Sequence, residues 1–143
     1  MAQFYSIGQL SKLTECKVPT IRWYEEKGLM PEAFRTEGNQ RRYTERHLNI
    51  LRFIRHSRAL GFDLPAIEKL LRLNSGNYRD HIEADSIARE HLRDIRHKIR
   101  RLQAMEAELS EMVQGCHYEE NHQCQILEVL SNHALCSGEH HHD

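Results

Sequence analysis

Cys116 and Cys124 bracket a seven-residue loop that also holds His117 and His122. Thiolates are soft donors and imidazoles borderline ones, so a short loop gathering both has the donors of a metal site. A reversible disulfide between the same two cysteines is the competing chemistry, that of a thiol redox switch. A second group of residues is cationic. Arg22 and Tyr24 fall on one candidate helix, and Arg35, Arg41 and Tyr43 on a hairpin that follows it. Guanidinium forks and hydroxyl donors on exposed, rigid positions are what contact with phosphate requires. No nucleophile–base pair or phosphate-cradling glycine loop is identifiable, so a binding protein is expected rather than an enzyme.

The elements that must position these residues can be traced along the chain. Residues 3–5 suit a short strand, Ser6 can cap a helix over Ile7 to Thr14, and Pro19 sits in the first turn of a second helix that stops at Gly28. Two short helices joined by a tight turn make a helix-turn-helix candidate. Cys16 in that turn is expected to be a half-buried filler, and Trp23 a core residue. Leu29 to Tyr43 suits a basic hairpin with its turn at Glu37–Gly38–Asn39, the wing of a winged helix. Thr44 opens a third helix to about Leu60, on which His47 and His56 are expected at the surface, and Asp63 caps a fourth, LPAIEKLLRL. The residues NSGN at 74–77 form a hinge. From Asp80 to Val113 no Gly or Pro occurs, which gives one helix of roughly 50 Å at 1.5 Å per residue. Its apolar residues keep a seven-residue spacing in two rows, Leu92, Ile99 and Val113, and Ala88, Ile95, Leu102 and Leu109, with Glu106 breaking the first. Two rows are too narrow for a globular core and want a partner helix. QILEVL then forms a short two-turn helix.

Composition agrees with this division. The net charge of −1 hides an asymmetry, since residues 1–73 carry thirteen Lys/Arg against eight Asp/Glu and residues 74–143 carry seven against thirteen. A polyanion-binding head joined to a different working part has that signature. Nine of the eleven histidines lie beyond residue 80. No apolar run is long enough to span a membrane, and MAQFYSIGQL lacks the features of a signal peptide, so a cytoplasmic location is expected, where cysteines act as thiols or metal ligands more often than as disulfides. The expected organisation is mainly α. Residues 1–75 form a winged helix-turn-helix DNA-binding domain, 76–114 a dimerisation helix, and 115–143 a metal-binding loop, short helix and His-rich tail.

The patterns Ile7-Gly8-Gln9-Leu10, Thr20-Ile21-Arg22-Trp23-Tyr24-Glu25 and Arg41-Arg42-Tyr43 closely resemble those of the mercury-resistance-regulator (MerR) family. In architecture the resemblance covers about residues 5–113, and it is most specific over Ile7–Leu71. It departs at Gln40, where the family usually has an aromatic residue before the hairpin arginine. The resemblance implies a homodimer whose long helices pair as an antiparallel coiled coil. It also implies binding to double-stranded promoter DNA between two elements set too far apart for RNA polymerase, with activation by effector-driven bending and untwisting of that spacer. It carries DNA contact over to Arg22, Tyr24, Arg35, Arg41 and Tyr43.

The loop from Cys116 to Cys124 resembles that of the family's metal-sensing branch. Antiparallel pairing would bring the start of one helix, around His81, to the end of its partner, around Cys116. At that helix-start position the family's copper(I) sensors carry Ser, and its zinc, cadmium, lead and mercury sensors Cys; here a count of thirty-five residues back from Cys116 lands on His81. An imidazole there adds a nitrogen ligand and suits a divalent ion. The expected site is Cys116 and Cys124 with the partner chain's copy of His81, completed by His117 or His122, and tetrahedral S/N ligation of that kind suits Zn(II) first. The histidine surplus keeps Ni(II) or Co(II) as alternatives, with His133 and His140–His142 available, whereas cadmium or lead would prefer a third thiolate, for which Cys136 is the spare. A drug sensor of the same fold would resemble a longer chain with an added ligand domain.

Overall fold

A computed structural model describes residues 3–115 and 124–131. The chain divides into two compact units, Met1–Ile87 and Ala88–Asp143.

The first unit begins with α1 (Ile7–Thr14), where the Gln9 N–H donates to Ser6 Oγ at 3.1 Å and the Ser6 N–H to Gln9 Oε1 at 2.8 Å. This reciprocal cap satisfies two otherwise orphaned donors and contributes about 1 kcal/mol. The helix stops at Glu15, whose φ of 57° turns the chain out of the helical path. Thr14, 1% exposed, donates to the Leu10 carbonyl and accepts from the Cys16 N–H, which fixes the turn. Cys16 is half-buried against the core, as its small apolar side chain suggests. Then comes α2 (Val18–Glu26), with Pro19 in its first turn, and Gly28 follows at φ 76°.

Two strands of two residues form the hairpin, β1 (Phe34–Arg35) and β2 (Arg41–Arg42), antiparallel with Phe34 opposite Arg42 and Arg35 opposite Arg41. Asn39 takes φ 63° in the connecting turn, a conformation Asn tolerates better than most residues. The strand expected at residues 3–5 reduces to a single bridge between Tyr5 and Tyr43, with N–H to O distances of 2.7 and 2.8 Å.

Helices α3 (Glu45–Ala59) and α4 (Leu64–Arg72) complete this unit. Asp63 caps α4 by accepting from the Ala66 N–H at 2.9 Å. Helix α1 packs on α2 and α3, and α3 on α4. Between them Leu10, Ile21, Met30, Leu51, Ile54 and Ile67 are at most 2% exposed, each such side chain contributing about 1.5–3 kcal/mol by burial.

Helix α5 runs from Tyr78 to Gln114, beginning two residues ahead of the expected Asp80. Asn77 supplies the earlier start, since its side chain accepts from the Arg79 N–H at 2.9 Å. The hinge is tied back onto the first turn of the helix: Asp80 accepts from the Asn74 N–H at 2.7 Å, and His81 Nε2 meets the Ser75 carbonyl. Along α5 the two apolar rows are open to solvent in the single chain, with Leu92 43%, Ile99 47%, Leu102 62%, Leu109 55% and Val113 63% exposed. Glu106 is exposed where it interrupts the first row.

In the second unit α6 spans Gln125–Ser131, and the Cys124 carbonyl accepts from the Glu128 N–H at 3.1 Å. A Cβ placed on Gly115 would meet the end of the Gln125 side chain, so the end of α5 lies against the start of α6. Met112 and Val129 are buried. No helix among the described residues is long and apolar enough to cross a membrane.

Candidate functional site

The arginines singled out in the sequence meet at one place. Arg22 on α2, Arg35 on β1 and Arg41 on β2 line a single concavity of about 220 Å³, together with Glu25, Glu26 and Glu32. Arg22 and Arg35 are exposed and Arg41 is half-buried. Register explains part of this convergence: Arg35 and Arg41 are directly opposed across the hairpin, so both point to the same face. Arg35 Nη1 lies 3.2 Å from Asn39 Oδ1, which holds the side chain beside the turn. Gln40, where an aromatic residue is usual in the family, accepts from Arg42 Nη2 at 2.8 Å. That position thus orients a neighbouring guanidinium.

The two tyrosines are not on the exposed positions expected of them. Tyr24 is 7% exposed and Tyr43 fully buried, because both rings face the α1–α3 core. The Tyr43 hydroxyl donates to the Glu25 carboxylate, linking β2 to α2. Burial, then the hydrogen bond and negative charge of Glu25, push the Tyr43 phenol up to about 12. Burial likewise raises the Tyr24 phenol, against the opposing charge of Arg58.

Trp23 departs from expectation in the other direction. It is 39% exposed rather than core, edge-on to Tyr24 at 5.7 Å and with Lys27 Nζ 5.8 Å from its ring centroid. Its neighbour Tyr24 takes the inward position on α2, and adjacent residues on a helix point about 100° apart. His47, expected at the surface, is 2% exposed, while His56 is exposed as expected. Sequence held one sign of this. Thr44 and His47 have the spacing of Ser6 and Gln9, and the Thr44 N–H donates to His47 Nδ1 at 3.0 Å as the Ser6 N–H does to Gln9.

Of the expected metal ligands, Cys116, His117 and His122 lie outside the described residues, as do Cys136, His133 and His140–His142. Cys124 is half-buried at the start of α6, and His81 is exposed in the first unit with its ring against Ser75. Gly115 and Gln125, which flank the loop, are in contact. Among the described residues no three His, Cys, Asp or Glu side chains gather as a metal cluster.

A winged helix-turn-helix head in which three arginines meet three glutamates around one concavity, followed by a long helix, is the architecture of a DNA-binding regulator. Residues 5–74 match the family described as MerR HTH family regulatory protein, and residues 48–112 match the family described as MerR, DNA binding. The chain belongs to the MerR family. It is 40% identical over 126 residues to a mercuric resistance operon regulatory protein of Serratia marcescens, covering 87% of this chain and 86% of that protein. It is 38% identical over 129 residues to the HTH-type transcriptional regulator ZntR of Escherichia coli K12, covering 88% and 92%. Among solved structures it is similar to the transcription regulator PbrR691 of Ralstonia metallidurans CH34 in complex with lead(II), with a TM-score of 0.71 and 37% identity over 88% of this chain and 98% of that one. The chain is thus a transcription factor on the metal-responsive branch of its family, and not an enzyme.

Proposed function

We propose that this protein binds promoter spacer DNA as a homodimer and activates transcription of metal efflux and homeostasis genes by distorting that DNA when a divalent metal, Zn(II) first, is bound. The convergence of Arg22, Arg35 and Arg41 on one concavity carries the DNA half of the proposal. Their guanidinium groups take phosphate oxygens, while Tyr24 and Tyr43 act from the core by holding α2 and the hairpin in place. Helix α5 supplies the dimer contact through its open apolar rows and pairs antiparallel with its counterpart. Distorting a spacer costs on the order of 1–6 kcal/mol, which contacts by both heads offset at the promoter recognised by RNA polymerase.

The donor set fits a borderline divalent ion. Cys116 and Cys124 supply two thiolates, the partner chain's copy of His81 an imidazole, and His117 or His122 a fourth ligand. Neutral imidazole leaves the site net charge at the value set by two thiolates, which suits a divalent cation. His81 at the start of one α5 and the Cys116–Cys124 loop of the other chain would hold the ion together, and it would supply a link between the two protomers. The second metal class is Ni(II) or Co(II), favoured by the nine histidines beyond residue 80. The named relatives make mercury and lead competitors to be tested beside cadmium and copper.

Titration of the reduced protein with Zn(II), Ni(II), Co(II), Cu(I), Cd(II), Hg(II) and Pb(II), alongside transcription from its own promoter, tests the proposal. Co(II) should give thiolate charge-transfer bands that Cys124→Ser abolishes; bands unchanged in that variant would sink the site. Mixed dimers of His81→Ala and Cys116→Ser chains should retain one intact site per dimer. Complete loss of metal binding in them would contradict the cross-chain arrangement.

A further inference from the structure

His47 sits at the joint between the hairpin and the helical core. Its ring is 2% exposed and every polar atom of it is engaged. Nδ1 lies 3.0 Å from the Thr44 N and 3.0 Å from Thr44 Oγ1. Nε2 lies 3.1 Å from the Pro31 carbonyl oxygen and 3.2 Å from that of Glu32. Since the Thr44 N–H can only donate, Nδ1 accepts and the proton resides on Nε2, which donates to the carbonyls. The rings of Phe34 and Tyr43 stand edge-on to the imidazole at 6.3 and 5.3 Å.

These partners have a common position in the fold. Pro31 and Glu32 lead into β1, which carries Arg35, whereas Tyr43 and Thr44 lead out of β2, which carries Arg41. One imidazole is therefore bonded to the roots of both hairpin strands, and it is anchored to the first turn of α3. A hairpin of two residues per strand has little pairing of its own to set its orientation. We propose that His47 is a positioning residue of the wing, acting beside Tyr43 to aim Arg35 and Arg41 at DNA. This rests on the DNA-binding function proposed above.

The protein contains the control needed to separate wing positioning from helix capping. At the equivalent place in α1, Gln9 accepts from the Ser6 N–H. His47→Gln can keep that cap, with its side-chain oxygen accepting from the Thr44 N–H, while giving up the bond to the Pro31 and Glu32 carbonyls. His47→Ala loses both. In the full-length protein, His47→Gln should stay folded and melt moderately below wild type, because two carbonyls lose their donor, but bind a promoter duplex about tenfold more weakly. Its log–log salt slope should be smaller by up to about two, as expected when two arginine–phosphate contacts are lost. In an Arg35→Ala/Arg41→Ala background the same substitution should change DNA affinity by less than twofold, because the side chains it aims are gone.

Full DNA affinity in a folded His47→Gln protein would overturn the inference, as would an equal loss of affinity in both backgrounds. His47→Ala checks the capping half by melting lower than His47→Gln. If the wild-type protein itself fails to bind duplex DNA, the function proposed above fails. If wild type binds and only His47→Gln behaves as wild type, the positioning role alone fails.

Discussion

The Tyr43 hydroxyl, buried at the end of the second hairpin strand, donates its proton to the Glu25 carboxylate on α2. It joins two of the elements whose arginines surround the concavity, and it does so from the core side.

Because this phenol is held up to about 12 against an ordinary value of 10.0, the folded state binds its proton more tightly than the unfolded state. The associated stability is fully present below pH 10 and is lost as pH rises towards 12. Tyr43→Phe should therefore show a shallower fall in denaturation midpoint across that window, measured by urea unfolding followed by circular dichroism. Equal slopes in the two proteins would mean that the hydroxyl makes no such linkage.

Arg22→Ala and Arg41→Ala should each weaken DNA binding roughly uniformly across sequences and lower the log–log salt slope by about one, as expected for loss of a phosphate contact. Fluorescence anisotropy over a salt series with a set of single-base operator variants measures both quantities. Should one base position alone lose discrimination, the arginine concerned reads a base edge and does not grip the backbone.

On α5, Leu102 is 62% exposed in the apolar rows. Leu102→Glu places a charge in the seam on both chains, and at about 1.5–3 kcal/mol per lost side chain the dimer should weaken by roughly a hundredfold or more. Gln103→Glu, one residue along and off the seam, is the control. Sedimentation of both variants decides the matter, and an intact Leu102→Glu dimer would place the interface elsewhere.

Sequence alone determined most of the elements, because each is encoded by local chemistry. Ser6 and Asp63 cap their helices, Gly28 and Gly61 accept the positive φ of 76° and 87° that ends α2 and α3, and the heptad spacing on α5 marks the rows left open in one chain. The placing of Arg35 opposite Arg41 was legible for a similar reason, since the hairpin turn at Glu37–Gly38–Asn39 sets their register. What only the tertiary structure decided was which side of each helix faces inward. Tyr24 and Tyr43 carry hydroxyls that suggest a surface role, yet their rings fill the core, with the Tyr43 hydroxyl paired to Glu25. Trp23 yields the inward position on α2 to Tyr24, and His47 is held inside by the Thr44 N–H and the Pro31 and Glu32 carbonyls, which engage its two nitrogens. Those outcomes depend on partners supplied by other segments, such as Glu25 for Tyr43 and Pro31 for His47, and no local pattern of residues specifies them.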